Sequence, residues 1–442
     1  MAVSGDDYVA LADVTSSIMK ELWARIKNAV DDDNKNVAWP RMKDNQGGEV
    51  EVAGPGMWRV RVPYVSAANR NIGPTVGDTR HKSGHSTTKN FYFETTKYDG
   101  TFGITQDLVM MTKKNSVAAI NQLTLEMKNL KAGLTKRLSQ DFHLDGTGTS
   151  AYLSKANSGG SVYVVAPCYA EVGDVVNIID ATDGTTMCST NDDAITAIGD
   201  VSWDSGLPTQ TVTITDTATG TAAGDMLIRS TAADGTSAAI GVTYKDLAIG
   251  GLGGVINDAN PAGGNFGNRD RTSGYTELIA LVHDGSASSA YPYIDTTYFR
   301  TLSRNLMDKL WDAQVLKHGK ASVILGTPAM QREYVSMETM NTERSPARVK
   351  SVDWAVEGPS YRGVPVVADP YCLPCRFYFL DDKAIGKKEV WPIQPWGDGL
   401  TIATTGAFAY TYTLSTRLQV VSGMPWAQAL LCDIAEEQLA IE

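Results

Sequence analysis

Between Asn115 and Asp145 the apolar residues Ile120, Leu123, Met127, Leu130, Leu134, Leu138 and Phe142 recur at alternating three- and four-residue steps, the spacing of a single helical face. Lys128, Asn129, Lys131, Lys136, Arg137 and Gln140 fill the other faces. The pattern predicts one long helix laid against its surroundings on one side, about 45 Å in length at the helical rise per residue. Gly133 weakens it by about 1 kcal/mol relative to alanine. Asp145-Gly146-Thr147-Gly148 ends it, because glycine takes the left-handed conformation that closes a helix. A second stripe, Leu11, Val14, Ile18, Leu22, Ile26 and Val30, predicts an amphipathic helix near the N-terminus, with Asp13 at its start. The run Asp31-Asp32-Asp33-Asn34-Lys35-Asn36 stops it, and the chain then reads as irregular through Pro40 and Gly47-Gly48. Docking on its own core is the first reading for this helix, capture by a neighbour the second.

Elsewhere the period falls to two. Trp58, Val60, Val62 and Tyr64 alternate with Arg59, Arg61 and Pro63 over Met57 to Val65, and Asn90 to Thr96 alternates in the same way, so two strands are expected. The residues between them are rich in Gly, Ser, Thr, Asn and His and carry Arg70, Arg80 and Lys82. That is too long for an ordinary hairpin turn and marks a disordered tip or a functional loop. From Ser161 to Ala233 short alternating runs (Val162 to Val165, Val175 to Ile179, Ala194 to Ile198, Thr211 to Ile214) are separated by Gly-Asp, Asp-Gly and Ser-Gly turns, which indicates a small closed β-barrel or sandwich. It reads as an insertion, since a helical and mixed pattern resumes afterwards. Phe299, Leu302, Leu306, Leu310 and Ala313 predict a helix over Asp295 to His318 with Asp295-Thr296-Thr297 as its start. Ala321 to Gly326 reads as a buried strand and Thr327-Pro328 opens a helix through Met340, so this part is an α/β unit with a mixed sheet. Strand-like runs at Leu400 to Thr404, Phe408 to Leu414 and Thr416 to Val421 are expected to pack beneath the long helix.

Composition narrows the function classes. A chain of 442 residues with 43% hydrophobic residues forms two or three domains with an ample core. A net charge of −11 excludes a surface given over to gripping phosphates. No apolar run reaches a membrane span, and the first residues lack the basic start and apolar middle of a signal peptide, so a cytoplasmic origin is expected. Cys168, Cys188, Cys372, Cys375 and Cys432 are odd in number and scattered, and read as reduced thiols.

The candidate chemistry is sparse. His81 and His85 sit four apart but in a glycine-rich loop with no helix to hold them on one face. Gly250-Gly251-Leu252-Gly253-Gly254 fails the dinucleotide pattern at Ile256, no Gly-Lys-Ser/Thr follows, and a flexible turn is expected. Arg269 and Arg271 read as solvated charges, with a carboxylate across an interface as the alternative. Cys372-Leu373-Pro374-Cys375 has the spacing of a redox or metal half-site, but prolines flank it, no helix opens there and no second pair follows. No Gly-x-Ser-x-Gly elbow is present, and Asp381-Asp382 reads as a strand-end turn. No catalytic residue, cofactor or metal is assigned, and the chain is not expected to be an enzyme.

The long helix breaking at Asp-Gly-Thr-Gly after a two-stranded loop, followed by Tyr361-Arg362-Gly363-Val364-Pro365-Val366-Val367 and Phe377-Tyr378-Phe379-Leu380-Asp381, resembles the major capsid proteins of tailed bacteriophages. The resemblance implies an α+β phage capsid fold of the Hong Kong ninety-seven type, with a long spine helix, an extended β-hairpin loop, a mixed-sheet axial domain and an inserted small β-barrel or sandwich domain. On it the chain divides into an N-terminal arm (1–56), the extended loop (57–105), the spine (106–160), the inserted domain (161–235), a connecting segment (236–295), the axial domain (296–395) and C-terminal strands (396–442). The resemblance implies self-assembly into pentamers and hexamers of an icosahedral head enclosing double-stranded DNA without sequence-specific binding, with a scaffolding protein and a portal as partners and the virion as location after assembly in the bacterial cytoplasm. Arg70, Arg80, Lys82 and Lys89 are the subunit-contact candidates. An encapsulin-like shell is the nearer alternative. A β-rich carbohydrate-binding or hydrolytic protein, suggested by the Thr/Gly/Asp-rich segment and nine tryptophans, is the alternative from another class.

Overall fold

The computed structural model describes residues 38, 42, 48–54, 57–67, 85–105, 116–157, 160–180, 193–204, 206–215, 221–229, 248–258, 260, 266–271, 275, 278–285, 299–342, 348–350, 357–402 and 409–436. In chain order these form β1 (Glu49–Gly54), β2 (Met57–Ala67), β3 (Thr87–Glu94), β4 (Thr96–Thr105) and the long helix α1 (Ser116–Phe142). Then come β5 (Thr149–Leu153), β6 (Val162–Cys168), β7 (Val175–Ile179), β8 (Asp193–Ile198), β9 (Ser202–Asp204), β10 (Leu207–Ile214), β11 (Met226–Arg229) and the short helix α2 (Leu252–Val255). Last are β12 (Leu281–His283), α3 (Arg304–Leu316), β13 (Val323–Gly326), α4 (Pro328–Thr342), β14 (Arg348–Lys350), β15 (Glu357–Tyr361), β16 (Val364–Ala368), β17 (Phe377–Leu380), β18 (Ile385–Ile402), β19 (Ala409–Ser422) and β20 (Ala429–Leu431). The molecule is mixed α+β and mostly strand. Among the described residues no helix is long and apolar enough to cross a membrane.

The chain parts into two compact units. The smaller takes in Thr96–Ser139 and Glu389–Leu418. Its sheet has the order β18-β19-β4, with Ala409 to Leu418 paired antiparallel to Thr105 to Thr96 over ten residues in unbroken register. Gly100 in β4 lies close under α1: a Cβ there would stand 2.8 Å from Cδ1 of Leu130, whose side chain would have to shift. Met127, Leu134 and Leu138 of α1 are buried and Leu125, Lys128, Ala132, Gly133 and Lys136 face out, but Lys131 and Gln140, expected on the outer faces, are buried as well. The sequence breaks the C-terminal strands at Ser415, but β19 is continuous because Ser415 is buried and stays in the ladder.

Among the described residues the larger unit holds three sheets. The first has the order β1-β2-β3. Its strand β1 falls where the sequence reads as irregular, since a run as short as Glu49-Val50-Glu51-Val52 beside Gly47-Gly48 gives a weak signal, and pairing with β2 from Glu49↔Arg61 to Val52↔Trp58 decides it. The second sheet has the order β6-β5-β11-β7-β8-β10-β9, and an additional β6–β10 pairing closes six of these strands into a ring. Leu153, Tyr163, Val165, Val176, Ile178, Ile195, Val212, Ile214 and Leu227 fill its interior, with alternate residues pointing in as a barrel requires. The third sheet has the order β12-β20-β17-β13-β16-β15-β14. It is mixed: β12 with β20 and β13 with β16 are parallel, the other pairs antiparallel. Helices α3 and α4 pack on it through Met307, Leu310, Met330 and Tyr334 against Ile324, Val366, Phe377 and Phe379.

The expected start of the helix over Asp295 to His318 is corrected here. Helix α3 starts at Arg304, capped by Ser303, whose Oγ accepts from Leu306 N. Phe299 and Leu302 precede the helix and are placed by an isolated bridge between Arg300 and Ile434. Ala429–Leu431 enters the third sheet as β20, beside β17.

Candidate assembly surfaces

Of the four candidate contact residues, Arg70, Arg80 and Lys82 lie outside the described residues, as does His81. Lys89 stands on β3, opposite Tyr64 of β2, with its Nζ 4.7 Å from the centroid of the Tyr275 ring. Arg269 shares that ring: its guanidinium carbon lies 5.1 Å from the centroid and Nη1 donates to Tyr275 Oη at 3.0 Å. The structure therefore brings Lys89 to Arg269 and Tyr275 near the loop end of the β2–β3 ladder.

The hairpin sheet has two unlike faces, set by its alternation. On one, Val60, Val62, Tyr64, Phe91 and Phe93 are buried, and Phe266 meets Phe91 and Phe93 edge-on at 5.7 and 5.1 Å. On the other, Arg59 donates to Glu51, Arg61 pairs with Glu49 and Glu51, and Arg59 covers Tyr92 at 4.4 Å. Cross-strand register places these partners opposite one another. The acceptor Glu49 raises Arg61 above its ordinary value, first through their hydrogen bond.

The expectation of solvated arginines fails at Arg271, which is fully buried. Its Nη1 donates to Asn257 O at 3.2 Å and its Nη2 to Val255 O at 2.9 Å, while its guanidinium lies 3.9 Å over the Phe266 ring. Burial pulls its pKa down to about 9. Val255 ends α2, so the side chain serves a carbonyl at the helix end.

Nor is the glycine-rich run a flexible turn. It wraps the C-terminal end of α1: Gly253 N donates to Leu144 O at 3.1 Å, and a Cβ on Gly251 would stand 2.1 Å from Phe142 O. Glycine is needed so that backbone can meet backbone.

Beyond it lies a buried polar junction that the sequence did not announce. His143 Nε2 and Asp369 Oδ2 are 3.2 Å apart. Tyr371 N donates to Asp369 Oδ1 at 2.9 Å, and Tyr169 Oη from the barrel donates to Tyr371 O at 2.6 Å. Cys372, Cys375 and Cys432 are buried and free; burial pushes each thiol up, away from the thiolate that redox or metal chemistry needs. Among the described residues no group of three or more His, Cys, Asp and Glu could hold a metal.

On the third sheet, the turn after β15 uses Arg362 and Gly363 in left-handed conformations. This aims Arg362 at α3, where Nη2 reaches Asp308 at 2.6 Å and Nη1 reaches Asp312 at 3.1 Å. Tyr361 Oη donates to Asp308 as well, and that bond is the first cause of the lowered Asp308 pKa.

No protein-family model and no curated protein matches the chain. Solved structures do. The chain is similar to the capsid asymmetric unit of cyanophage A-1(L) at a TM-score of 0.51 with 10% identity, over 85% of this chain and 88% of that one. The capsid of a native GTA particle follows at 0.41 with 10% identity, covering 88% and 89%. An encapsulin complex from Synechococcus elongatus gives 0.25 with 16% identity, covering 32% and 53%. The fold is that of phage capsid proteins.

Proposed function

We propose that this chain is the major capsid protein of a tailed bacteriophage, a structural subunit with no catalytic role. The observation that carries the reading is the fold likeness to a cyanophage capsid subunit across nearly the whole of both chains. In this reading α1 is the spine, β2 and β3 with the residues between them are the extended loop, the sheet around β13 is the axial domain and the closed barrel is an inserted domain. Assembly is geometric: each copy repeats the same heterologous contacts, and rotations that close give pentamers and hexamers, then an icosahedral shell. Single contacts need only be modest, because many act together in a closed lattice. A scaffolding protein and a portal join during assembly in the host cytoplasm. The shell encloses duplex DNA without reading its sequence, and a net charge of −11 keeps such a lining from adhering to it.

Arg70, Arg80 and Lys82 act in this reading at the contact between the extended loop and a neighbouring subunit. Deleting residues 68–84 tests it, since the deletion spares the β2–β3 ladder and Lys89. The expected product is a folded subunit with an unchanged unfolding midpoint that forms no stable shells. Normal shells from the deletion would overturn the assignment.

A further inference from the structure

The β3 edge of the hairpin sheet is already taken, and the groups that take it are anchored at the end of α1. Asn90, Tyr92 and Glu94 alternate along β3 and turn their backbone groups away from β2. Each is held from outside the sheet. Gln419 Nε2 donates to Glu94 O at 2.7 Å, Tyr92 N donates to Gly267 O at 3.2 Å and Arg269 Nη2 donates to Asn90 O at 3.4 Å. Both sets of holders trace back to one place. Gln419 is buried, and its Oε1 accepts from Gly250 N at 2.8 Å and from Val420 N at 3.0 Å. Gly250 opens the run whose Gly253 N donates to Leu144 O, just past α1. Residues 266–271 reach the same run through Arg271, which donates to Val255 O and Asn257 O.

The two ties form a bracket at the base of the hairpin, and its leverage follows from length. From Glu94 to Thr87 the strand runs on for about 25 Å. A swing of about 10° at the base would carry the loop end by about 4 Å over a strand of that length, more than the whole span of hydrogen-bond distances. Contacts made at the loop end therefore depend on how firmly the base is aimed. Arg271 also covers the Phe266 ring of the apolar face, so its loss disturbs a core, whereas Gln419 joins the glycine run to the strand edge by hydrogen bonds alone. We propose that Gln419, together with Arg269, is a positioning residue that sets the direction in which the β2–β3 hairpin leaves the end of α1, and through it the place where a neighbouring copy meets the loop end. This rests on the reading of β2 and β3 as the extended loop of a self-assembling subunit and names what aims that loop.

The test is the distance between nitroxide labels, carried on keto side chains introduced at Val65 and Val172, read by pulsed electron resonance in the unassembled full-length chain. Both positions are exposed, one on the hairpin and one on the β6–β7 turn of the barrel, and keto chemistry spares the native thiols. Q419M keeps the length of the side chain and removes the partner of Glu94 O and Gly250 N, so the width of the distance distribution is expected to grow about twofold. R269M, at a half-buried site, is expected to widen it less, and Q419M with R269M more than either alone. A control pair at Val172 and the exposed Leu316 is expected to stay unchanged. Wild-type width in all three variants, or equal widening of the control pair, would overturn the assignment and leave the capsid reading standing. Shells grown from Q419M are expected to scatter in diameter about twice as widely as wild type, because each copy repeats the same contact. Uniform shells despite a widened distance would overturn the link from the bracket to the neighbour. A wild-type chain with no assembled fraction would overturn the capsid reading and with it the neighbour contact, whereas the label distances judge the bracket without assembly.

Discussion

His143 Nε2 stands 3.2 Å from Asp369 Oδ2 with both side chains fully buried. The pair joins the end of the long helix to the loop after β16, where the same carboxylate also accepts from Tyr371 N. A buried acceptor serving two elements is costly to remove, about 1–3 kcal/mol for each polar group left unmet. D369A is therefore expected to lower stability by several such increments in denaturant unfolding, and D369N, which keeps an acceptor oxygen for Tyr371, by less. Equal loss from both substitutions would show that size, not hydrogen bonding, matters there.

Arg271 holds two carbonyls and covers a phenyl ring without exposure to water. R271M keeps the apolar volume and removes the donor to Val255 O, while Asn257 O keeps its bond from Ala280 N, so a loss of about 1–3 kcal/mol is expected. R271K removes the planar fork and is expected to recover only part of it. A denaturant titration of the three proteins reads the order directly.

Glu436 gives the pH dependence. Burial is the first cause that raises its pKa above the usual carboxylate value, against hydrogen bonds from Thr327 and Cys375 N that lower it. A raised folded-state pKa means that the native form binds the proton more tightly than the unfolded form. The penalty for the charged carboxylate is complete above the folded-state pKa and is relieved as pH falls through it towards the unfolded value. E436Q is expected to be at least as stable as wild type at pH 8, with the difference shrinking toward pH 4. Melting curves across that range check it; a deficit for E436Q that grows with pH would contradict the sign.

Two glycines should answer the same substitution in opposite ways. At Gly251 a Cβ would collide with Phe142 O at 2.1 Å, and G251A is expected to yield insoluble or unfolded chain. At Gly133 on the exposed face of α1 a Cβ meets nothing within 4 Å, so G133A is expected to add about 1 kcal/mol through helix propensity. Soluble yield and thermal midpoint separate the cases.

What could be read in advance follows from range. The stripe from Ile120 to Phe142 and the alternation in Val162 to Val165 and Thr211 to Ile214 report local burial, and each matches an element of the structure. β1 could not be read so, because its identity depends on pairing with Arg59 and Arg61. Arg271 reads as a solvated charge and His143 attracts no reading for a related reason: a buried charge or imidazole looks like any other in sequence until distant carbonyls and carboxylates are brought to it. The Gly250–Gly254 run drew notice, but its partner, the end of α1, lies more than a hundred residues earlier. Lys89 was singled out from loop position, and the Tyr275 ring beneath it comes from a segment that alternation does not mark.

The central claim is assembly, and negative-stain electron microscopy of the size-exclusion-purified full-length chain, alone and with its scaffolding protein, tests it most directly. The account predicts ring-shaped capsomers or closed shells of uniform size. A monodisperse monomer under both conditions would contradict it.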